Sequence, residues 1–321
     1  NPCPQNSLFW RRVPPGRRAA SGGKHSKFLF PIGSEYSEPL GNRANQCPER
    51  SPFWRRVFPR ESAVSEGRFS DNLFPLFKDI DCVIYNIGII REFLNKGISY
   101  KKLHEDLVSH IINFAERARV KKFILMSANG VDRQLTNYQK TKFNAKQKLM
   151  KSKLNWTIFR PSLIFGDPHN KMEFCTQLKR DMISLPFPTP NFFDGFNIMS
   201  AGLFKMSPIH VKNIAQFFVR AISIENSNYQ IYELGGSKDI TWRDLTKIIS
   251  TVCKKKKFSI SVPTFPIKLL AFFFDCWTWF PITRDQLTML TSGNTCDSQK
   301  YFDNFDIDEI TFTNKNLNYL Q

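Results

Sequence analysis

The chain has 321 residues, 41% of them hydrophobic, enough for one large or two modest domains with a sizeable core. Its formal net charge of +18 points to an acidic partner: an anionic membrane surface, a nucleic acid or a phosphorylated cofactor. Seven scattered cysteines with no Cys-x-x-Cys pair, and five scattered histidines, argue against a disulfide framework and a metal site and for a reducing compartment.

The first 70 residues differ from the rest: they hold ten arginines and two lysines, whereas residues 71–321 hold nine and 25. They are rich in Pro, Gly and Ser, carry little apolar periodicity, and repeat one pentapeptide, FWRRV, at 9–13 and 53–57. Three readings of residues 1–69 stand open: a stretch foreign to the domain behind it, a disordered basic arm, or an Arg-rich targeting segment interrupted by prolines. Within them KFLFPIG (27–33) reads as a short strand that Pro31 ends or confines to an edge. A chain beginning with Asn1 reads as a fragment or a processed form.

From residue 70 the pattern becomes regular. Ser70 is a candidate cap for a short helix over DNLFPLFKDI, and DCVIYNIGII (81–90) is a buried-strand run. Residues 99–120 carry apolar side chains at 103, 107, 111, 114 and 118, a helical stripe. KKFILMSANG (121–130) reads as a second strand, residues 136–153 as a basic helix, and LNWTIFRPSLIFGD (154–167) as a third strand. This alternation predicts an α/β fold, a Rossmann-like doubly wound parallel sheet, with ligands outside the carboxyl ends of its strands. Residues 70–205 would form that domain and 206–321 a smaller mixed α/β C-terminal region.

Ser127 closes the second strand, and Tyr138 follows it by eleven residues. Tyr138 and Lys142, four apart, share a face of the following helix. An ammonium beside a phenol lowers its pKa, so the pair can exchange a proton at a carbonyl or alcohol carbon while Ser127 holds the oxygen. Farther on, His210 reads as structural. KKKK (254–257) reads as a solvated run, and the following FSISVPTFPIKLLAFFFDCWTWFPITR, with Trp277 and Trp279, as either core or a membrane-surface stretch. No apolar run approaches the roughly 20 residues of a membrane-spanning helix. Nucleic-acid binding has no support beyond charge.

Ser127, Tyr138 and Lys142, with DCVIYNIG before them and WTIFRPSLIFG after, resemble the extended or atypical branch of the short-chain dehydrogenase/reductases. MSPIHVKNIAQFFVRAI (206–222), YQIYELGGSKDITWRDLTKIIS (229–250) and PITRDQLTMLTSGN (281–294) narrow the resemblance to the nucleotide-binding accessory subunits of respiratory complex I and their bacterial relatives. The resemblance implies a domain that binds NADP(H) or NAD(H), with Ser127, Tyr138 and Lys142 as the catalytic set. It implies cofactor contacts from Asn86, Gly88, Lys142, Arg160, Pro161 and Ser162. Asn213 stands where many relatives have Asp.

The resemblance also implies partners among complex I subunits or quinone-pathway proteins, at the mitochondrial matrix side of the inner membrane or the cytoplasmic face of a bacterial one. An accessory or assembly role is the leading expectation. An NADP(H)-dependent reductase or epimerase is the first alternative. The second is a truncated product that binds no nucleotide, because the family's Gly-x-x-Gly-x-x-Gly turn is missing: the early glycines at 16, 22, 23, 33, 41 and 67 never take that spacing. The first strands and phosphate loop are thus expected to be replaced.

Overall fold

In a computed structural model of the protein, residues 28–29, 71–94, 97–169, 172–274 and 282–321 are described. Ser70, Trp277, Trp279 and residues 1–69 other than Phe28–Leu29 lie outside them. The main sheet is parallel throughout, in the order β1 (Phe28–Leu29), β2 (Cys82–Tyr85), β3 (Lys122–Met126), β4 (Asn155–Pro161), β9 (Gln230–Leu234). β1 lies against β2 in the register Phe28↔Cys82, the place a doubly wound sheet gives its first strand; Pro31 lies outside the described residues.

Side chains alternate across the sheet, which is why the strand runs are apolar at nearly every position. Val83, Tyr85, Phe123, Leu125 and Ile158 face one core with α1 (Leu107–Arg117) and α2 (Asn137–Met150). Ile84, Ile124, Phe159 and Leu234 face the other, with α4 (Val211–Ser223) and α8 (Gln299–Asn304). A third core gathers Phe165, Phe192, Trp242, Leu245 and Ile249 in the smaller region. That region holds β5 (Ile164–Phe165), α3 (Phe174–Leu178), β6 (Thr189–Phe193), β7 (Lys205–Met206), β8 (Ile209–His210), β10 (Ile240–Thr241), α5 (Trp242–Val252), β11 (Ser259–Pro263), α6 (Thr264–Phe274) and α7 (Arg284–Thr291).

Local chemistry sets the element ends. Residues 71–77 form a 3-10 rather than an α-helix around Pro75, which lacks the amide an α-turn requires. The 99–120 stripe becomes a π-helical stretch, Lys101–Asp106, running into α1, with Leu103, Leu107 and Phe114 buried. Thr136 and Gln139 close a reciprocal capping box at the start of α2. His210 is structural: its Nδ1 accepts the Lys212 amide at the start of α4 (3.1 Å). Asn213 donates to the Asp308 carbonyl (2.8 Å) and accepts from the Ile310 amide (2.9 Å), a two-way bond that an ionised Asp could not complete.

Candidate functional site

The carboxyl ends of β2 and β3 carry Asn86, Gly88 and Ser127, α2 carries Tyr138 and Lys142, and the end of β4 carries Arg160, Pro161 and Ser162. The loop after β2 is clamped from the helical side. Tyr85 Oη donates to the Leu103 carbonyl (2.7 Å), Tyr100 Oη to the Ile90 carbonyl (2.8 Å), and the Ile89 amide to His104 Nε2 (3.0 Å). With Nε2 accepting, the His104 proton sits on Nδ1, which faces Thr141 Oγ1 of α2 at 3.2 Å. Burial, aided by the Lys142 charge, holds the His104 pKa well below the usual imidazole value, so the ring is neutral.

Lys142 is 6% exposed and sends its ammonium across the mouth of the sheet to the Met126 carbonyl (3.2 Å). Its Nζ lies 3.1 Å from where a Cβ on Gly88 would stand, so glycine leaves the space that the ammonium fills. Burial lowers the Lys142 pKa to about 8. Tyr138 packs edge-on against His104 (ring centroids 5.2 Å) and Tyr100 (5.7 Å). Burial raises its phenol to about 12, the opposite direction from the shift an ammonium neighbour would give.

Some buried polar atoms at these strand ends have no hydrogen-bond partner among the described residues. Asn86 Oδ1 follows β2 and Ser127 Oγ follows β3; both are such atoms, and so is Asn294 Oδ1. Native interiors rarely leave such groups unpaired. Asn294 belongs to a segment that closes over the neighbouring strands: its carbonyl accepts the Ser162 hydroxyl (2.5 Å), Thr295 O accepts from Asn129, and Ser292 O from Arg133. Asp285, on α7, reaches the Tyr138 amide near the start of α2 (3.5 Å).

The structure brings Gly88, Tyr138 and Lys142 together, with Ser127 one residue beyond the carbonyl that Lys142 binds and Asn86 at the neighbouring strand end. Arg160 is partly paired, while its buried Nε has no hydrogen-bond partner among the described residues. It makes a bidentate pair with Asp132 (2.6 and 3.0 Å) and reaches Glu233 (3.4 Å), its partner across β4 and β9. Pro161 ends β4 and accepts the Asn129 amide (3.0 Å). His104 was not selected from sequence, although it sits beside Leu103 of the buried stripe; only its contacts with Ile89 and Thr141 reveal its place.

A hydroxyl or carbonyl ligand fits this donor set. Ser127 Oγ can donate or accept, Asn86 Oδ1 accepts, and Lys142 has further N–H donors beyond the one aimed at Met126. That chemistry fits the ribose and nicotinamide of a dinucleotide. Two other hollows lie away from it. One, of about 70 Å³, is bordered by Gly236 and Glu309; the other, of about 300 Å³, is bordered by Glu116 and Lys153. Among the described residues no His, Cys, Asp or Glu cluster could hold a metal.

Gly88→Ala tests the cradle. The new methyl must push the Lys142 head group, which is flexible, so the melting temperature is expected to change little. Nicotinamide-nucleotide affinity should fall about 10- to 100-fold, the worth of a displaced charged hydrogen bond. Unchanged affinity by fluorescence titration would remove Lys142 and Gly88 from the site.

Comparison with known proteins gives the arrangement a context. A family model described as NAD(P)H-binding matches residues 61–184. The 40 kDa subunit of mitochondrial NADH-ubiquinone oxidoreductase from Neurospora crassa is 23% identical over 242 residues, 74% of this chain and 60% of that protein. A chloroplast stem-loop binding protein of 41 kDa from Arabidopsis thaliana is 32% identical over 105 residues, 32% of this chain and 25% of that one. The chain thus spans less than two thirds of either relative. UDP-glucuronic acid 4-epimerase from Bacillus cereus, solved with UDP-glucuronic acid and NAD, shares the fold at a TM-score of 0.57 and 15% identity, over 78% of each chain.

Proposed function

From the resemblance to short-chain dehydrogenase/reductases and to a complex I subunit, together with the NAD(P)H-binding match, we propose that this protein holds a nicotinamide dinucleotide as an accessory or assembly factor. Its partners would be NADH:ubiquinone oxidoreductase subunits or quinone-pathway proteins on the inner face of an energy-transducing membrane. NADP(H) and NAD(H) are both compatible with the residues present. Among the described residues no helix is long and apolar enough to cross a membrane.

The state of Tyr138 carries the accessory reading. A phenol that exchanges protons near neutral pH needs its pKa brought down toward the working pH. Here it is held up at about 12 between Tyr100 and His104, and Lys142 is aimed at a backbone carbonyl instead. The dinucleotide would then serve to complete the Asn86, Ser127 and Lys142 hydrogen bonds and to fix the carboxyl edge of the sheet.

A second reading, an NADP(H)-dependent reductase or epimerase, draws on the unpaired Ser127 Oγ. In it Ser127 would hold a carbonyl oxygen and Tyr138 would deliver the proton as hydride arrives from the cofactor. Tyr138→Phe separates the two. The accessory reading expects unchanged nucleotide affinity and undiminished thermal stabilisation by nucleotide. The enzyme reading expects turnover of a carbonyl substrate that drops on the order of 100-fold or more in the variant.

A further inference from the structure

Helix α6 is apolar on two sides. Its inner side, Thr264, Ile267 and Ala271, packs inward, with Thr264 and Ala271 fully buried. Its outer side, Phe265, Leu269 and Phe272, points to solvent, with Phe265 73% and Phe272 63% exposed. A helix apolar all round belongs in a core or at a lipid boundary, and the inner side alone satisfies the core. Ordinary surfaces scatter large apolar side chains singly, whereas these continue into their neighbours.

The continuation is set by hydrogen bonds. β11, just before α6, pairs with β6. Lys257 donates to the carbonyls of Leu185 and Phe187 (2.6 Å to Phe187), so these exposed side chains stand beside Phe258, itself 85% exposed. Asp194, just past β6, takes the Thr264 hydroxyl and the Lys268 ammonium, which anchors the loop of Phe196, Ile198 and Met199 at the start of α6.

Charge identifies the occupant. Lys254, Lys255 and Lys256 are exposed at the rim, next to Phe258, and the Arg284 guanidinium sits 5.8 Å from the Phe272 ring centroid. Asp194, at this face, is paired with Lys268. A basic rim around aromatic and aliphatic side chains matches anionic headgroups above acyl chains. The described part of α6, Thr264–Phe274, extends about 16 Å, roughly half a hydrocarbon core, a length that can lie along a bilayer surface.

We propose that the face formed by α6, β11 and the 254–257 lysine run docks the protein onto an anionic membrane surface. α6 lies in the plane, with Phe265, Leu269 and Phe272 among the acyl chains and the lysines on the headgroups. This surface goes beyond nucleotide binding and uses none of Asn86, Gly88, Ser127, Tyr138 and Lys142.

The test is flotation of the full chain with vesicles of phosphatidylcholine alone, or containing about a third phosphatidylglycerol. Binding is expected to the anionic vesicles and to weaken with salt. The triple variant Phe265→Ser, Leu269→Ser, Phe272→Ser should lose it while melting as the parent does, since these side chains already face water. Reversing Lys254, Lys255 and Lys256 to Glu should cost on the order of 100-fold, about fivefold per removed lysine. Failure of the parent to bind, or binding by the serine variant equal to the parent's, would overturn the proposal. So would an oligomer dispersed by the serine variant with no vesicle binding, which would make the face a protein interface. Nucleotide affinity measured on the same variants should stay unchanged, so a failed docking surface and a failed nucleotide site give different results.

Discussion

Lys142→Met is expected to stabilise the free protein by about 3 kcal/mol near pH 7 and to abolish nicotinamide-nucleotide binding. The ammonium is buried with the Met126 carbonyl as its hydrogen-bond acceptor, and burial brings its pKa from 10.5 to about 8. The unfolded chain therefore binds the proton more tightly than the folded one. The penalty is fully present below pH 8, and as pH rises from 8 to 10.5 the folded lysine is already neutral while the unfolded one loses its proton. The parent gains stability over that window relative to the variant. Melting curves of parent and variant should thus converge as pH rises from 8 toward 10.5. A variant less stable than its parent at pH 7 would mean that Lys142 makes folded-state bonds that repay its burial.

Phe159→Ala is expected to destabilise the protein by about 3–5 kcal/mol, lowering the melting temperature by roughly 10 °C, with nucleotide affinity per folded molecule unchanged. Phe159 is fully buried at the centre of the second core, stacked on Phe218 (5.1 Å) and Tyr232 (5.4 Å) and near Phe217 and Phe305. Its removal leaves a cavity between the sheet and the two helices that cover it. Phe159→Leu should cost much less, because most of the volume is retained. A small loss for alanine in denaturant unfolding would mean that α4 and α8 collapse onto the strand.

These two residues differ in how much of their role could be read from sequence. Phe159 lies in a run, WTIFRP, whose β-branched and aromatic residues announce a buried strand, and burial on both faces follows from parallel pairing. The same logic placed β2, β3 and α2 within a few residues of their observed ends. Lys142 was legible as a position but not as a state: among Lys140, Lys146 and Lys148 nothing in sequence says which ammonium reaches the strand ends. The answer comes from the helix phase set by the Thr136 and Gln139 cap and from the space left by Gly88, 54 residues earlier.

The tyrosine shows the limit more sharply. Spacing alone suggests an activated phenol beside an ammonium. The fold packs Tyr138 edge-on against Tyr100 and His104, which come from a different helical segment, and burial raises its phenol to about 12. Arg160, in a turn where the resemblance implies a cofactor contact, also pairs with acids. Its pairing with Asp132 and Glu233 depends on strand register, which a single sequence does not reveal. α6 was ambiguous because a helix apolar on every side reads the same in a core or at a membrane; only the exposure of Phe265 and Phe272 shows that one side is left uncovered.

The most direct measurement is a titration of the purified, cooperatively folded chain with NADPH and with NADH, following nicotinamide fluorescence. The account predicts saturable binding of at least one of them, weakened by Gly88→Ala, lost in Lys142→Met and indifferent to Tyr138→Phe. A folded chain that binds neither would contradict it, and would leave the unpaired Asn86 and Ser127 groups without the ligand they are inferred to hold.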